Sequence, residues 1–495
     1  MEASNSDDEV TTSDHTSEIT TRPNSESTNW EAVRRYQAEI GETTARLEEE
    51  VRLKTELQAQ LDASERARNA LSVQLEESRA LLERAESRRH QATPCTNFEQ
   101  LPTKTQDLIL QYLRPSQLLT IRGVSRGWRQ AVDDSLGRRH DLHLTGDDVK
   151  HANDERVGRL IRRMPSLRRL TTYHYCSPPA PLSVDVVSRL SGHLERVDLF
   201  HFDAAPQPLE RLCSRCPRLG DVTLPRGSAE RCAEALLRRL PSLRRLDVAR
   251  SDVRGECLSL LPESLEALSV AYCLHLQSAC LRQLTRCPRL RRLDVSGVEG
   301  LQAADLAAVL AGCPQLERLT ARELKPALEL CLPPAGLPSL RHLDVTCSDG
   351  VTDSTLKRLP DLLPGLHSLS IYACRGVTAV GLDSLPRLRQ LRQLDLACLP
   401  AVTVEDATLD RLHGPRLRML DLTGCQSCSA DGVTRLVLGC PSLTVLGWGW
   451  SDLDRTRSLV DSLVRQLPPD RDVTLEVNGR WMSHPLSSVS TDGAN

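Results

Sequence analysis

Aromatic side chains are scarce: Phe, Tyr and Trp together make up 3% of 495 residues. Any core must therefore be aliphatic, and each ring that does occur invites a reason. Lysine is rarer still. Only Lys54, Lys104, Lys150, Lys325 and Lys357 stand among 63 basic residues, a skew that accompanies abundant Ala, Pro, Gly and Arg. No apolar run approaches the roughly 20 residues of a spanning helix, and the opening MEASNSDDEV is acidic, unlike a secretory signal. A net charge of −3 supplies no bulk attraction for nucleic acid or an anionic membrane, so neither is expected as a partner. Neither a G-x-S-x-G elbow nor a phosphate-binding glycine loop occurs, which argues against an enzyme and against a nucleotide cofactor. Cysteine is not scarce. Seventeen thiols without a secretory signal fit a reducing compartment, the cytoplasm or nucleus.

What is present is a repeat. The phrase L-x-x-L-x-L/V/I opens at Leu167, Leu194, Leu219, Leu243, Leu265, Leu290, Leu316, Leu340, Leu366, Leu391, Leu417 and Leu443. Spacings of about 25 residues fall in the leucine-rich-repeat window. One such unit cannot bury its apolar side alone, so neighbours must stack into an α/β solenoid, with a parallel sheet inside and helices outside. Solenoids of this type mostly bind other macromolecules.

The chain divides into five stretches. Residues 1–28 are Ser/Thr/acid-rich and expected to be disordered. Residues 30–90 place Val33, Ile40, Leu47, Leu61, Leu75 and Leu82 on one heptad position, with Tyr36, Leu57 and Leu71 on its partner. That pattern predicts an N-terminal coiled coil and a homodimer, weakened where Glu50, Lys54, Ser64 and Arg68 interrupt the seam. Residues 97–143 form a compact helical segment, 144–480 the repeats, and 481–495 a disordered tail.

The compact segment carries the most specific signal. Leu101 and Pro102 start a first helix with Leu108, Ile109, Tyr112 and Leu113 at helical spacing. Pro115 ends it, and Ser116 is expected to cap a second helix bearing Leu118, Leu119 and Ile121. Val124, Trp128 and Val132 line a third. Three helices in about forty residues enclose little core, so part of this apolar surface should dock on a partner. Leu101, Pro102, Ile109, Leu110, Leu113, Leu118, Val124 and Trp128 resemble an F-box in identity and spacing. The segment departs from that pattern at Gln106, Lys104 and Gly137. With the repeats, the layout resembles the F-box and leucine-rich-repeat family, in its cysteine-containing subtype. The resemblance implies a substrate receptor of an SCF-type cullin–RING ubiquitin ligase. In it those eight residues would bind the Skp-type adaptor, which joins the cullin, and the repeats would hold a protein substrate.

Cys216, Cys287, Cys313 and Cys440 each stand three residues before an opener, and Cys273, Cys374 and Cys425 eight after one. Cysteine is small and readily buried, which suits a tight repeating turn. The C-x-x-C pairs Cys213/Cys216 and Cys425/Cys428 could ligate zinc, but Cys216 and Cys425 already have repeat positions and the pairs lie far apart. No metal site is expected. His140 and His143 lack the i,i+4 spacing of a helical metal site.

Two columns face inward on the strands. Opener+4 holds Asp198, Asp247, Asp294, Asp344, Asp395 and Asp421, and opener+2 holds Arg196, Arg245, Arg292 and Arg318. Pairing of Arg and Asp within one strand predicts a solvated ladder of mixed charge. Seven of the eight aromatics between Leu167 and Trp450 fall six to eight residues after an opener, along one rim. Tyr173, Phe200, Tyr272, Tyr372 and Trp450 are therefore candidate substrate contacts. Two functions stay open at this point: a non-catalytic ubiquitin-ligase adaptor, or a scaffold that dimerises through residues 30–90 and is independent of ubiquitin transfer.

Overall fold

The computed structural model describes residue 98 and residues 101–482, except 175–177, 179, 189–191, 204, 401–403, 413, 450–452, 469–470, 472 and 478–479. The chain divides into two units, 1–97 and 98–495, and the described residues belong to the second. The expected acidic tail and coiled coil lie outside the described residues.

Three helices come first: α1 (Thr103–Gln111), α2 (Pro115–Ile121) and α3 (Arg126–Arg138). One sheet follows, its strands in chain order. They are β1 (Asp141–Leu144), β2 (Arg169–Thr172), β3 (Arg196–Asp198), β4 (Asp221–Thr223), β5 (Arg245–Asp247), β6 (Ala267–Ser269), β7 (Arg292–Asp294) and β8 (Arg318–Thr320). The sheet continues through β9 (His342–Asp344), β10 (Ser368–Ser370), β11 (Gln393–Asp395), β12 (Met419–Asp421), β13 (Val445–Trp448), β14 (Thr474–Val477) and β15 (Arg480–Met482). All neighbours pair in parallel except β15, which returns antiparallel on β14. Trp481 and Met482 thus sit in a strand rather than in the expected tail, because the last parallel strand leaves an edge that the returning chain covers.

The twelve openers form the spine of the core: none is more than 7% exposed. The third residue after each opener is in register with its neighbours, as in Leu268, Leu293 and Leu319, and is equally buried. Helices or single helical turns cover the other side of this leucine layer, from the ten-residue Ala303–Gly312 to the short Glu256–Leu260. Cysteine fills the turn as its size suggests. The thiols of Cys273, Cys374 and Cys425 donate to the Val248, Val345 and Leu396 carbonyls of the preceding repeat, at 3.1, 3.1 and 3.3 Å.

The Asp column does something other than pair with arginine across its own strand. Each carboxylate accepts the amide N–H two residues on: Asp198 from Phe200, Asp247 from Ala249, Asp294 from Ser296, Asp344 from Thr346, Asp395 from Ala397 and Asp421 from Thr423, at 2.8–3.1 Å. These bonds end the strand and start the turn. Between Asp198 and Asp395 the column alternates Asp with Thr223, Ser269, Thr320 and Ser370, so no two carboxylates are strand neighbours. A hydroxyl also donates where a second charge would repel, as Ser370 does to Asp395 at 2.7 Å. The ion pairs of the inner face run between strands instead, as Arg196 and Arg245 do to Asp221 at 2.6 and 3.4 Å. A side chain at +4 is closer to the amide two residues on than to the arginine two residues back, and that proximity decides its partner.

Candidate docking surfaces

Helices α1–α3 are fixed to the solenoid by charge. Asp133 on α3 receives Arg122 at 2.8 Å and Arg163, from the first repeat, at 3.1 Å, and these arginines hold its carboxyl below the ordinary value. Arg138 reaches Asp107 on α1 at 2.6 Å, and Arg139 donates to the Leu110 carbonyl at 2.8 Å. Burial lowers the pKa of the Arg139 guanidinium. The second helix starts at Pro115, one residue before the expected cap. The Arg114 amide donates to Gln117, and the Ser116 amide donates to the buried Asp148 of the first repeat turn at 3.1 Å. An external carboxylate therefore does what the Ser116 side chain was expected to do.

These contacts sort the eight sequence-derived residues into two groups. Leu110 and Leu118 are fully buried and belong to the core, Leu101 and Leu113 are half-buried, and Trp128 stacks on Phe98 with ring centres 3.6 Å apart. Pro102 is exposed, Ile109 is 40% exposed and Val124 68%. The two most exposed residues of α1's apolar set lie outside those eight: Leu108 at 56%, and Tyr112, just past the helix end, at 88%. Their i,i+4 spacing puts both on one face, a signal already present in the sequence. Of the departures from the F-box pattern, Gln106 donates to the Phe98 carbonyl at 2.9 Å, and Gly137 faces open space.

The rim where strands end has a uniform backbone. The residue seven after the opener is left-handed in eight successive repeats: Arg250, Tyr272, Gly297, Glu323, Cys347, Ala373, Cys398 and Gly424, with φ from 52° to 79°. Side chains there cost roughly 1 kcal/mol of strain each and project along the rim. Tyr272 crosses Gly297 to donate to Glu323 at 3.0 Å, with the Arg250 guanidinium 4.7 Å from its ring centre. A Cβ at Gly297 would lie 2.4 Å from that ring, so glycine is required there. Burial and then Glu323 raise the Tyr272 phenol. Tyr372, 36% exposed, engages the Cys398 thiol, which pushes its phenol up to about 12. Tyr173 is 42% exposed and Phe200 half-buried; Trp450 lies outside the described residues. Tyr272 and Tyr372 are thus partly spent on neighbouring side chains of the rim itself.

At the N-terminal end of this rim, His174 bonds Asp198 at 2.7 Å and stacks on Phe200 with centres 4.2 Å apart. The hydrogen bond to Asp198 raises the imidazole above its ordinary value, against burial. Burial pushes Asp198 upward, but His174 and the amides of Phe200 and Thr172 outweigh it, leaving the carboxyl below its usual range. The pair's stabilisation is present below the unfolded histidine value of about 6.5 and is lost as pH rises through the raised folded value. At the acid end it disappears as Asp198 protonates. The melting-temperature difference between wild type and His174→Gln is therefore expected to be largest near pH 6 and to shrink by pH 8.5; a difference that grew with pH would refute the pairing.

Burial also governs the C-x-x-C thiols. It pushes Cys213 and Cys425 up to about 12 and Cys428 to about 11, so in the free protein they pack as neutral thiols.

Residues 98–143 match the F-box-like family. The F-box/LRR-repeat protein 4 of Bos taurus is 25% identical over 167 residues, covering 28% of this chain and 27% of that protein, so the match spans about a quarter of the relative's length. Among solved structures, the chain is similar to one in the crystal structure of the Rad7 and Elc1 complex in yeast. The TM-score is 0.50 and the identity 16%, over 82% of this chain and 97% of that one, a likeness of fold. Among the described residues, fourteen parallel strands of a leucine-rich-repeat solenoid follow a segment that matches the F-box-like family, a layout similar to that of F-box and leucine-rich-repeat proteins.

Proposed function

We propose that the chain is the substrate-recognition subunit of an SCF-type ubiquitin ligase, with no catalytic residue of its own. Helices α1–α3 bind the Skp-type adaptor and, through it, the cullin, while the solenoid holds a protein substrate. The observation that carries the reading is the exposed apolar set Leu108, Ile109, Tyr112 and Val124, on helices whose other apolar residues are already packed. A mere cap on the solenoid would turn such side chains inward. The mechanism is proximity: a substrate held on the repeats meets the charged E2 at high effective concentration, so transfer becomes effectively intramolecular. The tagged full chain is expected to co-purify adaptor and cullin in near-stoichiometric amounts. A folded chain that brings down neither would leave a scaffold and end the ligase reading.

A further inference from the structure

The edge where strands begin differs sharply from the rim where they end. The six segments from two residues before to two after the openers Leu290, Leu316, Leu340, Leu366, Leu391 and Leu417 contain nine arginines, two histidines and one acid, Glu317. In a chain of net charge −3, this is a local excess of one sign. Strand register stacks the groups. Arg292 pairs with Arg318 and Arg318 with His342 across β7–β9. One residue earlier in each strand, Arg341, His367, Arg392 and Arg418 follow one another through backbone bonds of 2.7–2.8 Å. Glu317 is taken by Arg291 at 2.6 Å. Among the described residues Arg292, Arg318, Arg392 and Arg418 are exposed and make no ion pair. The field they create is felt by the imidazoles between them. Burial lowers His342 and His367, and in each case neighbouring arginines lower it further.

Beside this patch the leucine layer opens. A cleft of about 460 Å³ lies between the repeats of β11 and β12, lined by Leu385, Leu388, Leu391, Leu412 and Leu417 together with Arg389 and Arg416. Like charges held side by side cost stability unless something neutralises them, and an apolar cleft open to water adds to that cost.

We infer that the strand-start edge of β7–β12 docks an acidic segment of a protein substrate, with one aliphatic side chain of that segment seated in the cleft between β11 and β12. The inference rests on the substrate-receptor reading and names its substrate class. Arginine guanidinia grip carboxylates in bidentate fashion, and the neighbouring Ser368 and Gln393 offer uncharged hydrogen-bonding groups. Nucleic acid is the poorer fit, because single strands bind by stacking on aromatics, and these six segments contain none.

The probe is a fluorescent Asp/Glu-rich peptide with one central leucine, titrated against the full chain. Arg392→Ala with Arg418→Ala is expected to weaken it at least roughly tenfold without moving the melting temperature, since neither arginine makes an ion pair among the described residues. Arg→Lys at both sites should restore part of the affinity, added salt should weaken binding, and the Asn/Gln counterpart of the peptide should not bind. Equal binding of the acidic and amide peptides, no binding of either, or tighter binding of a single-stranded RNA would overturn the inference. So would loss of peptide binding in Tyr272→Ala with Tyr372→Ala, which would move the site to the opposite rim. Adaptor co-purification separates the two readings: its failure with peptide binding intact removes the ligase proposal and leaves this site, and the reverse removes this site alone.

Discussion

Leu108→Ala combined with Tyr112→Ala is expected to weaken adaptor binding at least roughly a hundredfold while moving the melting temperature by less than about 2 °C. Both side chains are more than half exposed, so their removal from the free protein takes little from the core. In a complex they become buried anchors, and truncating one such anchor commonly costs about 2 kcal/mol, with tenfold in affinity per 1.4 kcal/mol. Leu110→Ala is the contrasting variant. Its side chain is fully buried, so its loss should cost about 3 kcal/mol of stability and affect adaptor binding only through loosened packing. Calorimetric titration of the adaptor beside thermal melts of both variants gives the comparison. Adaptor affinity unchanged in the double variant would move the interface off this face.

The contrast between Leu108 and Leu110 shows where sequence reading stops. The F-box-like spacing was legible, as was the solenoid, because leucines at fixed intervals permit only one way of stacking. Which of several adjacent apolar residues faces water was not legible from spacing alone. It depends on where α1 lies against α3 and the first repeat, and that is set by Arg138 reaching Asp107 and Arg139 reaching the Leu110 carbonyl, contacts some thirty residues apart in sequence. The Asp column is visible in the sequence as a column, but its partner is the amide two residues on rather than the arginine of its own strand. Its alternation with Ser and Thr is equally visible in the sequence and fits electrostatic spacing within a structural turn, not a ladder of Arg–Asp pairs within each strand. The +2 column shows Arg292 and Arg318 on one face, but the wider one-signed edge is not legible from spacing, because only the strand register sets Arg341, His367, Arg392 and Arg418 in a row beside them.

That same register makes the array vulnerable at its centre, and Leu293→Ala is expected to split its unfolding in two. Leu293 is 1% exposed and sits in register between Leu268 and Leu319 near the middle of the sheet. Truncating a buried leucine removes about 3 kcal/mol, from lost burial and the cavity left behind. In a globular core that loss would be shared by contacts from many directions. A solenoid repeat packs mainly on its two neighbours, so apart from the exposed Tyr272–Glu323 bond that spans it, the coupling between the halves before and after β7 passes through this repeat. Weakening it by several kcal/mol lets the halves melt separately, and the urea transition should broaden into two steps with a reduced apparent slope. Leu475→Ala on β14 is the control. It is equally buried, at 4% exposed, but lies near the end of the sheet, where the loss should fray the last strands and leave the main transition single. Hydrogen exchange would place the new opening in β7 and its neighbours for Leu293→Ala, and in β13–β15 for Leu475→Ala. A single sharp transition in both variants, lowered by the same amount, would mean that the repeats fold as one cooperative body and that nearest-neighbour coupling does not describe this array.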